Sequence, residues 1–192
     1  MTIRQTLRDA IAQLDTSISH IDPAAWHHPT PCAEWDVREL VNHVAGECAW
    51  IPPLLAGKTI AEVGDSIPGD VLGHDPAAAW RRVASDALDA ATDPAALTRT
   101  VQLSSGESTG AAYLAEVSAD LIIHAWDLAH ALGRDDRLPD ALVEHAAATL
   151  GPQVEEWRAA GALGAAIEVP AGSDPQTRLL AMVGRRAGAP AG

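Results

Sequence analysis

Asp120 and His124 stand four residues apart in ADLIIHAWDLAH (residues 119–130), a run otherwise oily enough to belong in a core. Residues four apart on an α-helix differ by about 40° around its axis, so the carboxylate and the imidazole point the same way. Val117 and Leu121 on the adjoining faces are expected to be buried. A lone buried carboxylate costs several kcal/mol unless it is paired or holds a metal ion. Two readings follow: an Asp–His hydrogen bond at a helix interface, or two metal ligands at i and i+4, with a facing helix supplying the rest. His43, in RELVNHVAGE, lies beside the apolar residues Leu40, Val41 and Val44 of an earlier helix and adds a second imidazole. Alone, such a histidine is more often a satisfied interface residue. With Asp120 and His124 it completes the two-imidazole, one-carboxylate set of open Zn²⁺, Fe²⁺ or Ni²⁺ sites, which keep positions for water or substrate. Glu47, one turn past His43, reads as an extra ligand, a base or a solvated residue. Asp127, three residues after His124, is placed either to orient that histidine or to pair at the surface. Trp35 and Trp126 read as core packing, with a pocket wall as the alternative.

The elements that must position these groups are helical. Ile3, Leu7, Ile11, Leu14, Ile18 and Ile21 recur at spacings of three and four, which predicts an amphipathic helix over 3–21. Asp36, with Glu39 three residues on, opens a second helix that Pro52-Pro53 should end. Residues 56–74 are Gly-rich and aperiodic, so they read as a long crossover. Asp75-Pro76 starts a third helix in the favoured order of cap and first-turn proline. LTRTVQL (97–103) alternates as a short strand does, SSGEST reads as a turn, and Thr109 can cap a fourth helix running to Gly133. Pro139 opens a fifth helix that Gly151-Pro152 kinks or splits, AAIEVPAG is extended, and Asp174-Pro175 caps a last short helix. The sum is an all-α bundle of four long helices with a crossover and small additional helices and extended segments. One domain is expected over 1–186, with a disordered tail over 187–192.

PTPCAEWDVRELVNHVAGE, ADLIIHAWDLAHALG and DPQTRLLAMVGR resemble the actinobacterial metal-binding proteins related to the N-terminal domain of mycothiol-dependent maleylpyruvate isomerase. These belong to the wider DinB/YfiT-like four-helix-bundle superfamily. The resemblance runs from about residue 5 to residue 186, and the PCxxWxVxxLxxH and DxxxHxWDLA signatures are specific when they occur together. It implies a divalent metal ion held by His43, Asp120 and His124, with Zn²⁺ first and Ni²⁺ or Fe²⁺ as alternatives. Relatives carry Glu where this chain has Asp120, one methylene shorter. The implied partners are a small-molecule thiol such as mycothiol, as cosubstrate, and an electrophilic substrate. The implied reaction is a thiol-dependent transfer or isomerisation in which the metal lowers the thiol pKa and the thiolate attacks the electrophile. Isomerases of the family also have a C-terminal domain that contributes to catalysis, and few residues follow the last helix here. A relative that is not itself a maleylpyruvate isomerase is therefore expected. The alternatives are a non-catalytic metal-binding stress-response or interaction module, and a metal-free bundle.

Composition removes other classes. The 192 residues carry 13 basic and 26 acidic side chains, for a net charge of −13 and no basic block, so nucleic acid is a poor partner. No apolar run approaches the ~20 residues of a membrane span, and MTIRQTLRDA lacks a signal-peptide pattern, so the expected setting is the cytoplasm. Cys32 and Cys48 are too few for a disulfide framework and read as buried or idle; Cys32, just before a helix, reads as structural. GxSxG, P-loop, HExxH and GxGxxG patterns are absent. His27, His28, His74, His130 and His145 are scattered and surface-like. The oligomeric state stays open, with a homodimer among the options.

Overall fold

The computed structural model describes residues 1–188, and the last four residues of the expected tail lie outside the described residues. In chain order the elements are α1 (Ile3–Ile18), α2 (Val37–Leu55), α3 (Ile60–Val63), α4 (Pro76–Ala90), α5 (Pro94–Thr98), β1 (Thr100–Leu103), β2 (Gly106–Thr109), α6 (Gly110–Ala131), α7 (Asp140–Leu150), α8 (Val154–Ala159) and α9 (Pro175–Met182). Each long helix starts on a side chain that takes up an otherwise unpaired amide. Thr2 and Gln5 form a capping box on α1, and Asp36 and Glu39 form one on α2. Asp75 accepts from Ala78 N ahead of α4, and Thr109 accepts from Ala112 N ahead of α6. A cap of this kind contributes about 1 kcal/mol. Gly133 follows α6 at φ +62°, in the left-handed region a C-terminal cap requires.

The four long helices close into a ring: α1 touches α6 and α4, and α2 touches the same two. This is the DinB-like helical bundle expected from the sequence. Leu7, Leu14, Val41, Val44, Val83, Leu114 and Leu121 meet in its core. α7 then packs on α6 and α1 from outside, with α9 on α7. α6 is thereby covered on several sides, and every residue from Leu121 to Ala129 is buried. That explains why its sequence is apolar nearly all round rather than along one stripe.

The local outcome differs from the expectation at five places, the first being that Leu97 and Thr98, expected in a strand over 97–103, close α5, so that β1 starts at Thr100. α1 stops at Ile18, where the carbonyls of Asp15 and Ser17 accept the Ser19 amide, and Ile21 packs from the following loop. α2 runs through Pro52 and Pro53 to Leu55. The two prolines remove amides from the helix ladder, but Ile51, Leu54 and Leu55 are almost wholly buried, and that packing outweighs the loss. The crossover contains α3, a single turn closed by a Thr59–Glu62 capping box. SSGEST is turn plus strand: β2 pairs antiparallel with β1, Thr100 opposite Thr109 and Leu103 opposite Gly106, around Ser104-Ser105.

Two glycines give opposite expectations for one chemical change. A Cβ on Gly110, at the start of α6, would lie 2.0 Å from the carbonyl oxygen of Ala96 in α5. Gly110→Ala should therefore lower stability by about 1–3 kcal/mol, the range of an overpacked core. Gly46, inside α2, has nothing within 4 Å of an added Cβ, so Gly46→Ala should raise stability by about 0.5–1 kcal/mol. Denaturant midpoints of the two variants check both signs.

Candidate functional site

α6 presents Asp120 and His124 on one face, and α2 presents His43 opposite them. The Asp120 carboxylate lies between the two imidazoles: Oδ2 is 3.1 Å from His43 Nε2 and Oδ1 is 3.3 Å from His124 Nε2. One ligand atom from each of the three lies within 4.8 Å of the other two. The rings meet edge to face at 4.9 Å between centroids. Trp35, in the loop before α2, leans on both rings, 4.7 Å from His43 and 5.7 Å from His124. Asp120 keeps 29% of its side chain exposed and His124 only 7%, so the carboxylate is the accessible member of that pair.

A second polar chain lies behind His124. Asp127 is fully buried, and its Oδ2 is 3.0 Å from His124 Nδ1. With Nδ1–H donating to Asp127, Nε2 is left facing Asp120 and the ring cannot turn without losing a buried hydrogen bond. Asp127 is itself held by Arg185, which donates from Nε to Oδ1 at 3.2 Å and from Nη2 to Oδ2 at 3.0 Å. Cys32 completes the group: its thiol donates to Asp127 Oδ2 at 3.2 Å, Arg185 Nη2 lies 3.2 Å from its sulfur, and His124 Nδ1 is 3.8 Å away. Cys32, His124 and Asp127 also form a group close enough to share an ion.

Charge follows this geometry. Burial pushes the Asp120 carboxyl toward neutrality, but His124 and His43 beside it hold it far below the usual carboxylate range. Burial alone would discharge His124; the carboxylates of Asp120 and Asp127, with Cys32, instead raise its pKa well above the ordinary histidine value. Asp127 is likewise held below its usual range against the cost of burial, through His124 and Arg185. Glu47 moves the other way: burial and then the negative charge of Asp120 push it up to about 7. Glu47 and Asp120 lie on the wall of a cavity of about 430 Å³ beside the site.

The structure thus brings His43, Asp120 and His124 together, sets Asp127 against His124, and places Glu47 on the adjoining cavity. Trp35 packs on the two imidazoles rather than lining that cavity. Trp126 is buried and stacks on His130 at 4.6 Å, away from the cavity. His130, expected at the surface, is mostly covered, and its Nδ1 lies 2.9 Å from Asp136 Oδ2. Cys32 is not an idle thiol but part of the polar chain, and Arg185 carries no signal of its own in the sequence. The one indirect signal was Asp127: a carboxylate inside so apolar a helix requires a buried cation somewhere.

Among the described residues no helix is long and apolar enough to cross a membrane. Residues 7–129 match the family described as the mycothiol maleylpyruvate isomerase N-terminal domain. Two uncharacterized proteins of Mycobacterium tuberculosis, from strains CDC 1551 / Oshkosh and ATCC 25618 / H37Rv, are each 33% identical to this chain over 153 residues, which is 78% of this chain and 78% of theirs. Among solved structures, mycothiol-dependent maleylpyruvate isomerase superposes with a TM-score of 0.61 at 19% identity, over 83% of this chain and 71% of its own. A histidine-to-alanine mutant of that isomerase gives 0.60 at 18% identity over the same shares. At these identities the likeness to the solved structures is one of fold.

Proposed function

This chain belongs to the mycothiol maleylpyruvate isomerase N-terminal domain family, and from that premise we propose that it binds one divalent metal ion through His43, Asp120 and His124 and catalyses a thiol-dependent transfer or isomerisation. The observation that carries the reading is the placement of Asp120 between two imidazoles from facing helices, with its open side on a cavity. The donor set suits Zn²⁺ first: two imidazole nitrogens, with His124 giving up its Nε2 proton as the ion binds, and one carboxylate oxygen, with separations of 3.1 and 3.3 Å that one small ion can span. Such an ion supplies the positive charge that lowers the pKa of a small-molecule thiol to near neutrality.

The chain's own residues have separable tasks. Asp127 fixes the His124 ring so that Nε2 stays aimed at the shared point, and Arg185 keeps Asp127 ionised in its buried position. Trp35 shields both imidazoles on one side. Glu47, a mostly buried carboxylate on the cavity wall whose pKa burial raises, is the group placed to take or return a proton on the cavity side. Mycothiol is the thiol named by the family, and the second substrate is an electrophile.

The test pairs metal analysis of the purified protein with incubation in mycothiol and a panel of electrophiles. Thiol consumption that needs the electrophile, disappears on metal stripping and returns with Zn²⁺ supports the reading. One metal per chain with no consumption for any electrophile rules out the catalytic part and favours a binding module.

A further inference from the structure

The cavity beside Asp120 is floored by α2 and α6 and closed at its rim by elements that the four-helix ring does not need. α3 contributes Ile60, the β1–β2 hairpin contributes Leu103, and α8 contributes Trp157. Ile60 is one of the few large apolar side chains among the described residues left exposed, at 37%. Trp50 of α2 lines the cavity as well, so two indole rings stand on its wall. Tyr113 of α6 is 5% exposed, yet its hydroxyl has no hydrogen-bond partner, and it too lines the cavity. A buried hydroxyl without a partner marks a place where a bound molecule's polar group can enter.

The charged groups on the wall all have one sign. Glu47, Glu116, Asp120 and Glu156 line the cavity, and no Lys, Arg or His does. Glu116 accepts from the neutral amide of Gln153 at 3.5 Å. Asp120 is already matched by the imidazoles beside it and Glu47 is mostly buried, so Glu116 and the exposed Glu156 are the carboxylates left unmatched on the wall. A negatively charged guest meets their repulsion there, screened in part by solvent at Glu156. A flat apolar or cationic guest meets two indoles and the carboxylates, the combination that favours stacking and cation–π contact.

We propose that this cavity receives the electrophile of the thiol-dependent reaction, and that this substrate is a flat, largely apolar molecule without negative charge, seated against Trp50 and Trp157. The assignment rests on the thiol-dependent reading above for the word electrophile, while the preference of the cavity is a property of its walls.

Three probes built on one ring separate the two. Benzyl alcohol, benzyltrimethylammonium and phenylmethanesulfonate share one benzyl group and differ in charge, and none reacts with thiols under mild conditions. Binding is followed by tryptophan fluorescence and by ligand-observed NMR, on protein with and without Zn²⁺. The neutral and cationic probes should bind saturably, and the sulfonate at least about ten-fold more weakly, with the gap shrinking as salt is raised. Trp157→Leu should weaken the cationic probe at least about five-fold while metal stoichiometry is unchanged. The Glu116→Gln, Glu156→Gln double variant should narrow the gap between cation and sulfonate. Equal or tighter sulfonate binding, binding indifferent to Trp157→Leu, or no saturable binding of any probe overturns the proposal. Probe selectivity without thiol chemistry would sink the reaction and leave the cavity's preference standing.

Discussion

Purified His124→Ala protein is expected to retain the far-ultraviolet signature of the helical bundle and to carry no stoichiometric divalent metal. Of the two imidazoles, His124 is the one whose second ring nitrogen is locked by a buried carboxylate, so no neighbour can take over its position. Removing one of the three proposed ligands, and the one whose orientation is prearranged, should cost well over the 10–100-fold in affinity seen when only an outer hydrogen-bond partner is lost. His43→Ala should behave alike. Its side chain is 27% exposed, so it tests the site with less risk to folding. His145→Ala is the control: its imidazole contacts the carbonyl of Ala115 at 3.2 Å and should leave metal content unchanged. One metal per chain at unchanged affinity in His124→Ala would show that the ion, if any, sits elsewhere.

The second large effect is on stability. Asp127→Ala strips the buried Arg185 guanidinium of its partner, and breaking such a pair from one side typically costs about 3–5 kcal/mol. For a chain of this length that corresponds to a fall in Tm of roughly 6–20 °C. Arg185→Met in the same background should recover part of the loss, because the strain lies in the unpaired charge rather than in the missing contact. The pH dependence has a definite sign. Asp127 has its folded pKa depressed below the ordinary value of 3.8, so its contribution is complete above that value and is lost as pH falls through the folded pKa. The acid limb of the stability curve should therefore be shallower in Asp127→Ala than in the parent. A loss below about 1 kcal/mol, or an unchanged acid limb, would mean that the pair is not charged in the native state.

How much of this could be read from the sequence depends on the range of the signal. The long helices are legible because their apolar residues recur every three or four positions and their caps are local, as at Asp36–Glu39 and Asp75-Pro76. β2 is not, since Gly-Glu-Ser-Thr has no apolar residue to alternate; its pairing comes from β1 beside it. The continuation of α2 through two prolines is not legible either, because the burial that outweighs the lost hydrogen bonds belongs to other helices. In the site, spacing alone places Asp120 and His124 on one face. That His43 meets them is a product of how α2 and α6 pack. The contact of Cys32 with Arg185 spans 153 residues and leaves no local trace at either end. Its only shadow in the sequence is a buried Asp127 whose charge His124 alone does not account for.

Arg185 also gives the site a direction in time. A ribosome delivers His43, Asp120, His124 and Asp127 in that order, and the guanidinium that joins His124 in keeping Asp127 ionised emerges 58 residues after Asp127 itself. Until then the carboxylate near the C-terminal end of α6 has only His124 beside it to hold its charge, so that helix seals less firmly against its neighbours. Closure of the bundle around His124 is thereby tied to the arrival of the segment after α9. An unfinished chain carries an opened, water-accessible core, which is the feature that quality-control proteases and chaperones recognise.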